Sequence, residues 1–277
     1  RGLEQGELVF AQAPAQRRHL PTLLREQTAR PAALLALEVV RSGNAGLAAA
    51  MQRAIGQGAQ LLVVDGITSE DLATILAATQ MAHPQALLCG SAGLMEPLAR
   101  QLAGAEPPTT PAASAVRLTA PLLAVVGSGS VMAHRQLARL RREPRVHLTV
   151  LAQCEEWLTS AGMAERQAIV IHLQEPADDT QLEGAEARLL AARLAGAAIK
   201  MARILVPGVL LLVGGDTTVA VLERLGIDEL RVVRELMPGI PLLVGVDGAS
   251  RSWPIITKAG SFGDEETLSA LIALVQP

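Results

Sequence analysis

Three glycine-containing clusters near the C-terminus carry the residue types that bind phosphate. They are Gly214-Gly215-Asp216-Thr217, Pro238-Gly239-Ile240-Pro241, and Thr257-Lys258-Ala259-Gly260-Ser261-Phe262-Gly263-Asp264. Each cluster follows a short apolar run, so we expect three loops to meet at one edge of a sheet. Backbone amides and a lysine at such an edge suit an anionic ligand. The clusters therefore point towards nucleotide chemistry.

A similar unit lies in the middle of the chain, where the apolar run 122–126 leads into Gly127-Ser128-Gly129-Ser130 and then into a helical pattern over 131–141. The glycines let the backbone approach a phosphate, Ser128 and Ser130 add hydroxyl groups, and the helix N-terminus adds partial positive charge. Alone the unit is a weak signal, because it matches neither the dinucleotide pattern nor a P-loop. A tight turn before a helix explains it equally well.

Several of these polar residues have a structural alternative. Asp216 and Thr217 each suit the N-cap of a helix over 219–225. In the functional alternative, their side chains contact ribose or phosphate oxygens. Asp216 could instead orient a metal-bound water. A further strand, loop and helix unit is predicted at 87–94, where Ser91 suits a helix cap and the small residues around it permit close packing.

Lys258 is one of only two lysines in the chain. It follows an apolar strand and precedes Gly260 and Gly263, which favours a phosphate contact over free solvation. Asp65 ends another apolar run, at the carboxyl end of a strand where α/β sites tend to lie, although a turn explains it as well. The five histidines share no metal-ligand spacing, and we assign them surface or packing roles.

Composition narrows the class of protein. The net charge is −3 and no basic stripe occurs, which argues against nucleic acid as a partner. Two distant cysteines cannot form a disulfide framework, so a reducing cytoplasm is the expected compartment. We expect no membrane span, because the longest apolar runs are interrupted by Pro and Gly. With no Tyr, two Phe and two Trp, the chain has few rings on which a base can stack.

Strand-length apolar runs alternate with helical patterns such as 182–204, which predicts an α/β fold with a mostly parallel sheet flanked by helices. The Pro-rich stretch 104–119 has the composition of a linker that separates two subregions. Residues 1–30 show one candidate helix over 21–28 and no buried strand, so they look like an appendage. The predicted strands are 34–40, 61–65, 86–89, 122–126, 146–151, 168–173, 209–213, 242–246 and 255–257.

Taken together, the loops resemble the four-carbon acid sugar kinase family, long known as a family of unknown function. Five motifs in the family's order are much more specific than one, and the likeness covers residues 31–277, corresponding to the family's Rossmann-like nucleotide-binding half. The motifs are Gly90-Ser91-Ala92-Gly93-Leu94, Gly127-Ser128-Gly129-Ser130 with Gln136, Gly214-Gly215-Asp216-Thr217, Pro238-Gly239-Ile240-Pro241, and Lys258-Ala259-Gly260-Ser261-Phe262-Gly263-Asp264.

The resemblance implies an ATP-dependent kinase that phosphorylates acids such as threonate or erythronate, with Mg²⁺ held mainly by phosphate oxygens and water. Because the chain has so few aromatic residues, we expect aliphatic side chains and backbone around the adenine. Ser261 departs from the family, which often has Gly or Asn before the Phe-Gly pair. The resemblance implies ATP contacts at Ser128, Gly214, Gly215, Asp216, Thr217 and Gly260. The residue types in the glycine loops add Ser130 and Lys258 as candidate contacts.

The acid-binding half is the main departure. Family members open with an Ala-Asp-Asp-x-Thr-Gly motif, which this chain lacks, and Ala177-Asp178-Asp179-Thr180-Gln181 has the wrong spacing and position. We therefore expect residues 1–30 to be the tail of a missing N-terminal domain and 31–277 to be the nucleotide-binding domain, incomplete for catalysis. The alternative is a non-catalytic nucleotide-binding or interaction module. A Rossmann-type oxidoreductase is disfavoured, because no Gly-x-Gly-x-x-Gly follows the first strand. The sequence leaves a homo-oligomer open.

Overall fold

The computed structural model describes residues 7–9, 17–104, 116–154, 167–173 and 184–276. The chain divides into two compact units, Arg1–Thr109 and Thr110–Pro277. We expected the nucleotide-binding domain to begin at residue 31, but the division falls inside the Pro-rich stretch 104–119 instead. The motif-like segment 177–181 lies outside the described residues.

The first unit has its own apolar core. Its helix α3 connects two parallel strands, β3 and β4, and packs with the next helix over Leu47, Met51 and Ala78. Because these residues bury apolar surface among themselves, the unit has what a separate domain requires. Its elements are β1 (Glu7–Val9), β2 (Arg17–His19), α1 (Leu20–Gln27), β3 (Ala32–Leu35), α2 (Leu37–Val40), α3 (Gly43–Gly56), β4 (Leu61–Val64), α4 (Ser69–Ala82) and α5 (Ala92–Ala103).

The carboxylate of Asp71 organises the start of α4. It accepts hydrogen bonds from the N–H of Ile67 at 3.1 Å and of Thr68 at 3.0 Å, and Arg41 Nε donates to it at 3.3 Å. The bond from Ile67 is the main reason that the pKa of Asp71 falls to about 2; Thr68 and Arg41 lower it further, while burial opposes them. Thr68 Oγ1 accepts from the N–H of Asp71 in return, which completes a capping box.

Asp71→Ala is expected to destabilise the first unit by about 1–2 kcal/mol, because the N–H groups of Ile67 and Thr68 lose their acceptor. Urea unfolding followed by circular dichroism measures the change, with Glu70→Ala, an exposed neighbour in the same turn, as the control. The folded pKa is lower than the ordinary 3.8, so the stabilisation is complete above that pH and lost as the pH falls towards about 2. A gap between parent and variant that stays constant over this range would contradict the assignment.

The second unit is built from seven strands and four helices among its described residues. The strands are β5 (Leu122–Val126), β6 (Val146–Val150), β7 (Ala168–His172), β8 (Val209–Val213), β9 (Leu230–Met237), β10 (Ile240–Val246) and β11 (Ser252–Lys258). The helices are α6 (Val131–Leu140), α7 (Gly184–Leu205), α8 (Gly215–Leu225) and α9 (Thr267–Ala273).

The sheet order is β6-β7-β5-β8-β11-β10-β9. The first five strands in this order are parallel to one another. Beyond β11, the strands β10 and β9 continue the sheet with antiparallel pairing. The central strands β5, β7 and β8 are buried at every residue, as expected for strands covered by helices on both faces. This confirms the predicted α/β class with a mostly parallel sheet.

Two layers of helices complete the unit. One face of the sheet packs against α6 and α9, through residues such as Leu137, Leu268 and Leu271. The opposite face packs against α7 and α8, through residues such as Leu194 and Val221. The connections from β5 to α6 and from β8 to α8 both leave the same edge of the sheet, because the two strands are parallel. That edge is where a ligand of an open α/β sheet binds.

Two of the predicted strands are wrong. Residues 86–89 form no strand, and Leu87 is 95% exposed, so this apolar run is not a buried one. The run 34–40 is divided between β3 and α2, because the chain turns into a helix at Leu37. The edge strand β9 was not predicted, because Arg231, Arg234 and Glu235 interrupt its apolar pattern. Among the helices that the structure describes, none has both the length and the apolar character to cross a bilayer.

Candidate functional site

Three loops follow three neighbouring parallel strands, β5, β8 and β11. Val126 pairs with Val213, and Val213 pairs with Lys258, so the strands end at the same level. The N–H of Gly127 donates to the carbonyl of Val213 at 3.1 Å, and the N–H of Gly214 donates to the carbonyl of Lys258 at 3.0 Å. The loops 127–130, 214–217 and 259–264 therefore form one continuous surface, which we call the three-loop edge.

The loops pack closely where glycines meet side chains. A Cβ on Gly127 would overlap Oγ1 of Thr217, and a Cβ on Gly260 would overlap Oγ of Ser128. Gly214 has a φ of 106°, a conformation that side chains disfavour. These glycines are thus required by the fold of the edge itself, whatever binds there.

The three-loop edge presents many unpaired backbone N–H groups. The first N–H groups of α8, those of Gly215, Asp216 and Thr217, lie before the first intrahelical bond, which Thr218 makes to Gly214. Among the described residues, no acceptor faces the N–H groups of the other loops at positions Ser128, Gly129, Gly260, Ser261 and Gly263. Convergent unpaired N–H groups and a helix N-terminus favour an anionic ligand.

Two glycines of the edge border open space. A Cβ built on Gly129 or on Gly215 would meet no atom within 4 Å, and neither residue has a positive φ. The folded chain therefore gives neither a steric nor a conformational reason for glycine at these positions. Without side chains there, the backbone of both loops stays open to close approach by a ligand.

The two serines of the first loop have different surroundings. Ser130 is buried, and its Oγ accepts the N–H of Ala133 at 3.2 Å as the N-cap of α6. Ser128 is half-buried, and its Oγ accepts the N–H of Ser130 and donates to Ser130 Oγ, each at 3.2 Å. The hydroxyl of Ser130 is thus occupied by the helix cap, and Ser128 is the nearer of the two serines to Gly260.

Asp216 and Thr217 do not cap α8, because the N-cap residue is Gly214. Asp216 is exposed in the first turn of the helix, where a carboxylate interacts favourably with the helix dipole and is accessible to solvent. Thr217 is buried with its hydroxyl against Gly127. Only Asp216 of this pair offers an exposed side chain to a ligand.

Lys258 lies inside the protein rather than on its surface, with 3% of its area exposed. Its Nζ donates to the carbonyl of Ala259 at 2.9 Å and to that of Gly260 at 3.3 Å. Burial lowers the pKa of Lys258 from 10.5 to about 8. The side chain therefore holds its own loop and is not freely solvated, and the phosphate contact that the sequence favoured for it stays a prediction.

Gln136 is a buried polar residue on α6 that the sequence reasoning noted only as part of a motif. Its Nε2 donates to the carbonyl of Phe262 at 3.1 Å and to that of Asp264 at 2.6 Å. The available signal was its position, since Gln136 shares the buried face of α6 with Ala133, Leu137 and Leu140. A polar side chain on an otherwise apolar helix face indicates a specific partner.

The remaining predicted site residues lie around or away from the edge. The turn between β9 and β10 contains Gly239, where a Cβ would clash with the ring of Phe262, so this turn supports the third loop. Ser91 and Asp65 belong to the first unit, and Ser91 precedes α5 without a side-chain cap bond. Among the residues that the structure describes, no three His, Cys, Asp or Glu side chains group as a metal site.

The fold is that of an α/β protein with a mostly parallel sheet, and comparison with protein families gives it a nucleotide-binding class. Residues 123–268 match the family model described as a nucleotide-binding C-terminal domain. Residues 10–98 match the model described as a sugar-binding N-terminal domain. The chain belongs to the four-carbon acid sugar kinase family.

Two curated relatives carry the name D-threonate kinase. The protein of Bordetella bronchiseptica is 29% identical over 263 residues, which cover 92% of this chain and 60% of the relative. The protein of Cupriavidus necator is 32% identical over 289 residues, which cover 96% and 66%. The chain thus spans about three fifths to two thirds of the length of these relatives. A crystal structure of a Salmonella typhimurium protein has the same fold, with a TM-score of 0.64 and 20% identity over 98% of this chain and 71% of its own.

The sugar-binding match corrects one expectation. We predicted that the N-terminal domain was missing and that residues 1–30 were its tail, but residues 10–98 match that domain. The error came from relying on one opening motif, whereas the first unit has a separate core over 35–82. Its strands β3 and β4 have only four residues each, so they gave little signal of a second sheet.

Proposed function

We propose that the three-loop edge binds ATP and that the protein is a kinase that phosphorylates a four-carbon sugar acid such as D-threonate. The observation that supports the nucleotide site is the convergence of unpaired N–H groups from three loops at the carboxyl edge of the parallel sheet. The names of the curated relatives support the acid substrate. We assign the acid to the first unit, since that unit matches the sugar-binding model.

In this proposal each loop has a defined part. The N–H groups of Gly215, Asp216 and Thr217 and those of the third loop, including Gly260, bind phosphate oxygens, while Ser128 contributes its hydroxyl. Ser130, Gly214 and Lys258 act by shaping the loops rather than by touching the nucleotide. Phosphoryl transfer needs positioning and neutralisation of phosphate charge, which convergent N–H donors provide in part. Mg²⁺ would be held by phosphate oxygens and water, with the exposed Asp216 able to contact its water shell.

The test separates binding from turnover. Titration of the chain with ATP and Mg²⁺ in a calorimeter is expected to show saturable binding, and a coupled ADP-release assay is expected to show turnover with D-threonate. Absence of saturable binding at millimolar ATP would reject the nucleotide site. Binding without turnover on threonate or erythronate would instead favour the second candidate, a nucleotide-binding module without kinase activity.

A further inference from the structure

Two buried side chains hold four carbonyl groups of the third loop. Lys258 Nζ donates hydrogen bonds to the carbonyls of Ala259 and Gly260. Gln136 Nε2 donates to those of Phe262 and Asp264. Gln136 has no exposed area and Lys258 has 3%, so both pull the carbonyls towards the protein interior. One donor comes from the strand that precedes the loop and the other from α6, which packs beneath it.

The direction of these carbonyls fixes the direction of particular N–H groups. In a trans peptide the carbonyl of one residue and the N–H of the next lie in one plane and point in opposite directions. The held carbonyls of Ala259, Gly260 and Phe262 therefore turn outward the N–H groups that follow them. Those groups belong to Gly260, Ser261 and Gly263, and the described residues provide no acceptor for any of these three.

From this correspondence we infer that Gln136 and Lys258 are positioning residues that aim the N–H groups of the third loop at the phosphates of the nucleotide. The inference rests on the proposed function for the identity of the ligand, but the orientation of the loop is independent of it. The neutral Gln136 donates hydrogen bonds to two loop carbonyls just as Lys258 does, so the loop does not require the positive charge of Lys258. What the loop needs is a buried donor at each of its two ends.

Gln136→Leu is the principal test, because leucine keeps a similar volume and removes the donor. The Oε1 atom of Gln136 is buried and has no hydrogen-bond partner among the described residues. Leucine removes this buried unpaired acceptor, and the free energy gained offsets part of the loss of the two hydrogen bonds from Nε2. We therefore expect the variant to fold. Lys258→Met is the second variant, since methionine keeps most of the length of lysine and cannot donate.

Gln167→Leu is the matched control. Gln167 Nε2 also donates to two backbone carbonyls, those of Ile272 at 3.2 Å and Val275 at 3.1 Å, but these lie at and beyond the C-terminal end of α9. The control therefore removes the same type of contact from the same unit without touching the third loop. Any general loss of packing or stability should appear in the control as well.

Two measurements decide the inference. In the protein without nucleotide, ¹⁵N relaxation should show that the order parameters of Gly260, Ser261 and Gly263 fall from about 0.85 to below about 0.6 in both loop variants and stay high in the control. Calorimetry should show ATP affinity reduced about tenfold or more in the same variants, because the loop must then be ordered on binding.

Unchanged order parameters in the loop variants would overturn the inference, and so would a mobile loop that still binds ATP like the parent. A loss of equal size in Gln167→Leu would also overturn it, because the effect would then be general. If the parent chain binds no ATP at all, the proposed function fails, whereas the relaxation experiment still decides whether Gln136 and Lys258 orient the loop.

Discussion

Gly215→Val is expected to weaken ATP binding at least about 100-fold while changing the free energy of unfolding by less than about 1 kcal/mol. Gly215 is the first residue of α8, and a Cβ there meets no atom within 4 Å, so we expect the folded chain to accept a side chain at this position. Its helix propensity is no worse than that of glycine. The branched side chain would occupy the space in front of the N–H groups of Gly215, Asp216 and Thr217, where we place a phosphate.

Two further glycine variants serve as comparisons for Gly215→Val. Gly56→Val is the matched control, because Gly56 ends α3 in the first unit and likewise borders open space. It should leave ATP affinity within about twofold of the parent. Gly260→Val should lower both stability and affinity, because its side chain overlaps Ser128. Calorimetric titration and urea unfolding of the three variants distinguish a blocked ligand from a damaged fold. Parent-like ATP binding by Gly215→Val would place the phosphates elsewhere.

The second unit could be predicted from sequence because its strands are buried on both faces. The continuous apolar runs at β5, β7 and β8 match the observed strands to within one residue, and the glycine loops follow them. The convergence of the loops then follows from parallel strands alone. The strand β9 escaped prediction because it lies at the edge of the sheet, where charged residues alternate with partly buried ones.

The roles of individual polar residues were harder to predict than the loops that contain them. Alternation along β11 puts Lys258 on the same face as the buried Ile256, which packs against the layer of α6 and α9. The sequence alone does not show that helices cover this face of β11. It therefore predicted a phosphate contact for Lys258 and did not predict that the lysine is buried. Gln136 poses the same problem, since its partners are more than a hundred residues away in the chain.

The first unit shows where a family motif misleads. Its opening motif is absent from the sequence, and its described strands are short, so the unit was assigned to the wrong domain. The first unit nevertheless has a core of its own, in which Leu47, Met51 and Ile75 are buried. An independent core indicates a domain even where a motif is missing.

Lys258 is expected to contribute a rise of up to ~3 kcal/mol to the free energy of unfolding between about pH 8 and pH 10.5. Burial lowers the pKa of its ammonium to about 8 in the folded chain, against 10.5 in the unfolded chain. Over this interval the unfolded chain binds a proton that the folded chain has lost, so stability increases with pH. Below pH 8 both states are protonated and the folded state bears the cost of a buried charge.

The chain is well suited to this measurement. It contains no tyrosine and only one other lysine, Lys200, which is exposed on α7. The difference in unfolding free energy between the parent and Lys258→Met, measured with urea at intervals from pH 7.5 to 10.5, isolates the contribution of Lys258. Lys200→Met is the matched control, and its difference from the parent should vary with pH by less than about 0.5 kcal/mol.

The shape of the difference curve reports on what surrounds the ammonium. A rise that begins near pH 8 means that burial dominates, and that the carbonyls of Ala259 and Gly260 hold a group which readily gives up its charge. A flat curve would mean that the two carbonyls stabilise the ammonium enough to offset its burial, and would contradict the lowered pKa. Because a neutral amine still donates hydrogen bonds, the loop should keep its conformation above pH 8 in either case.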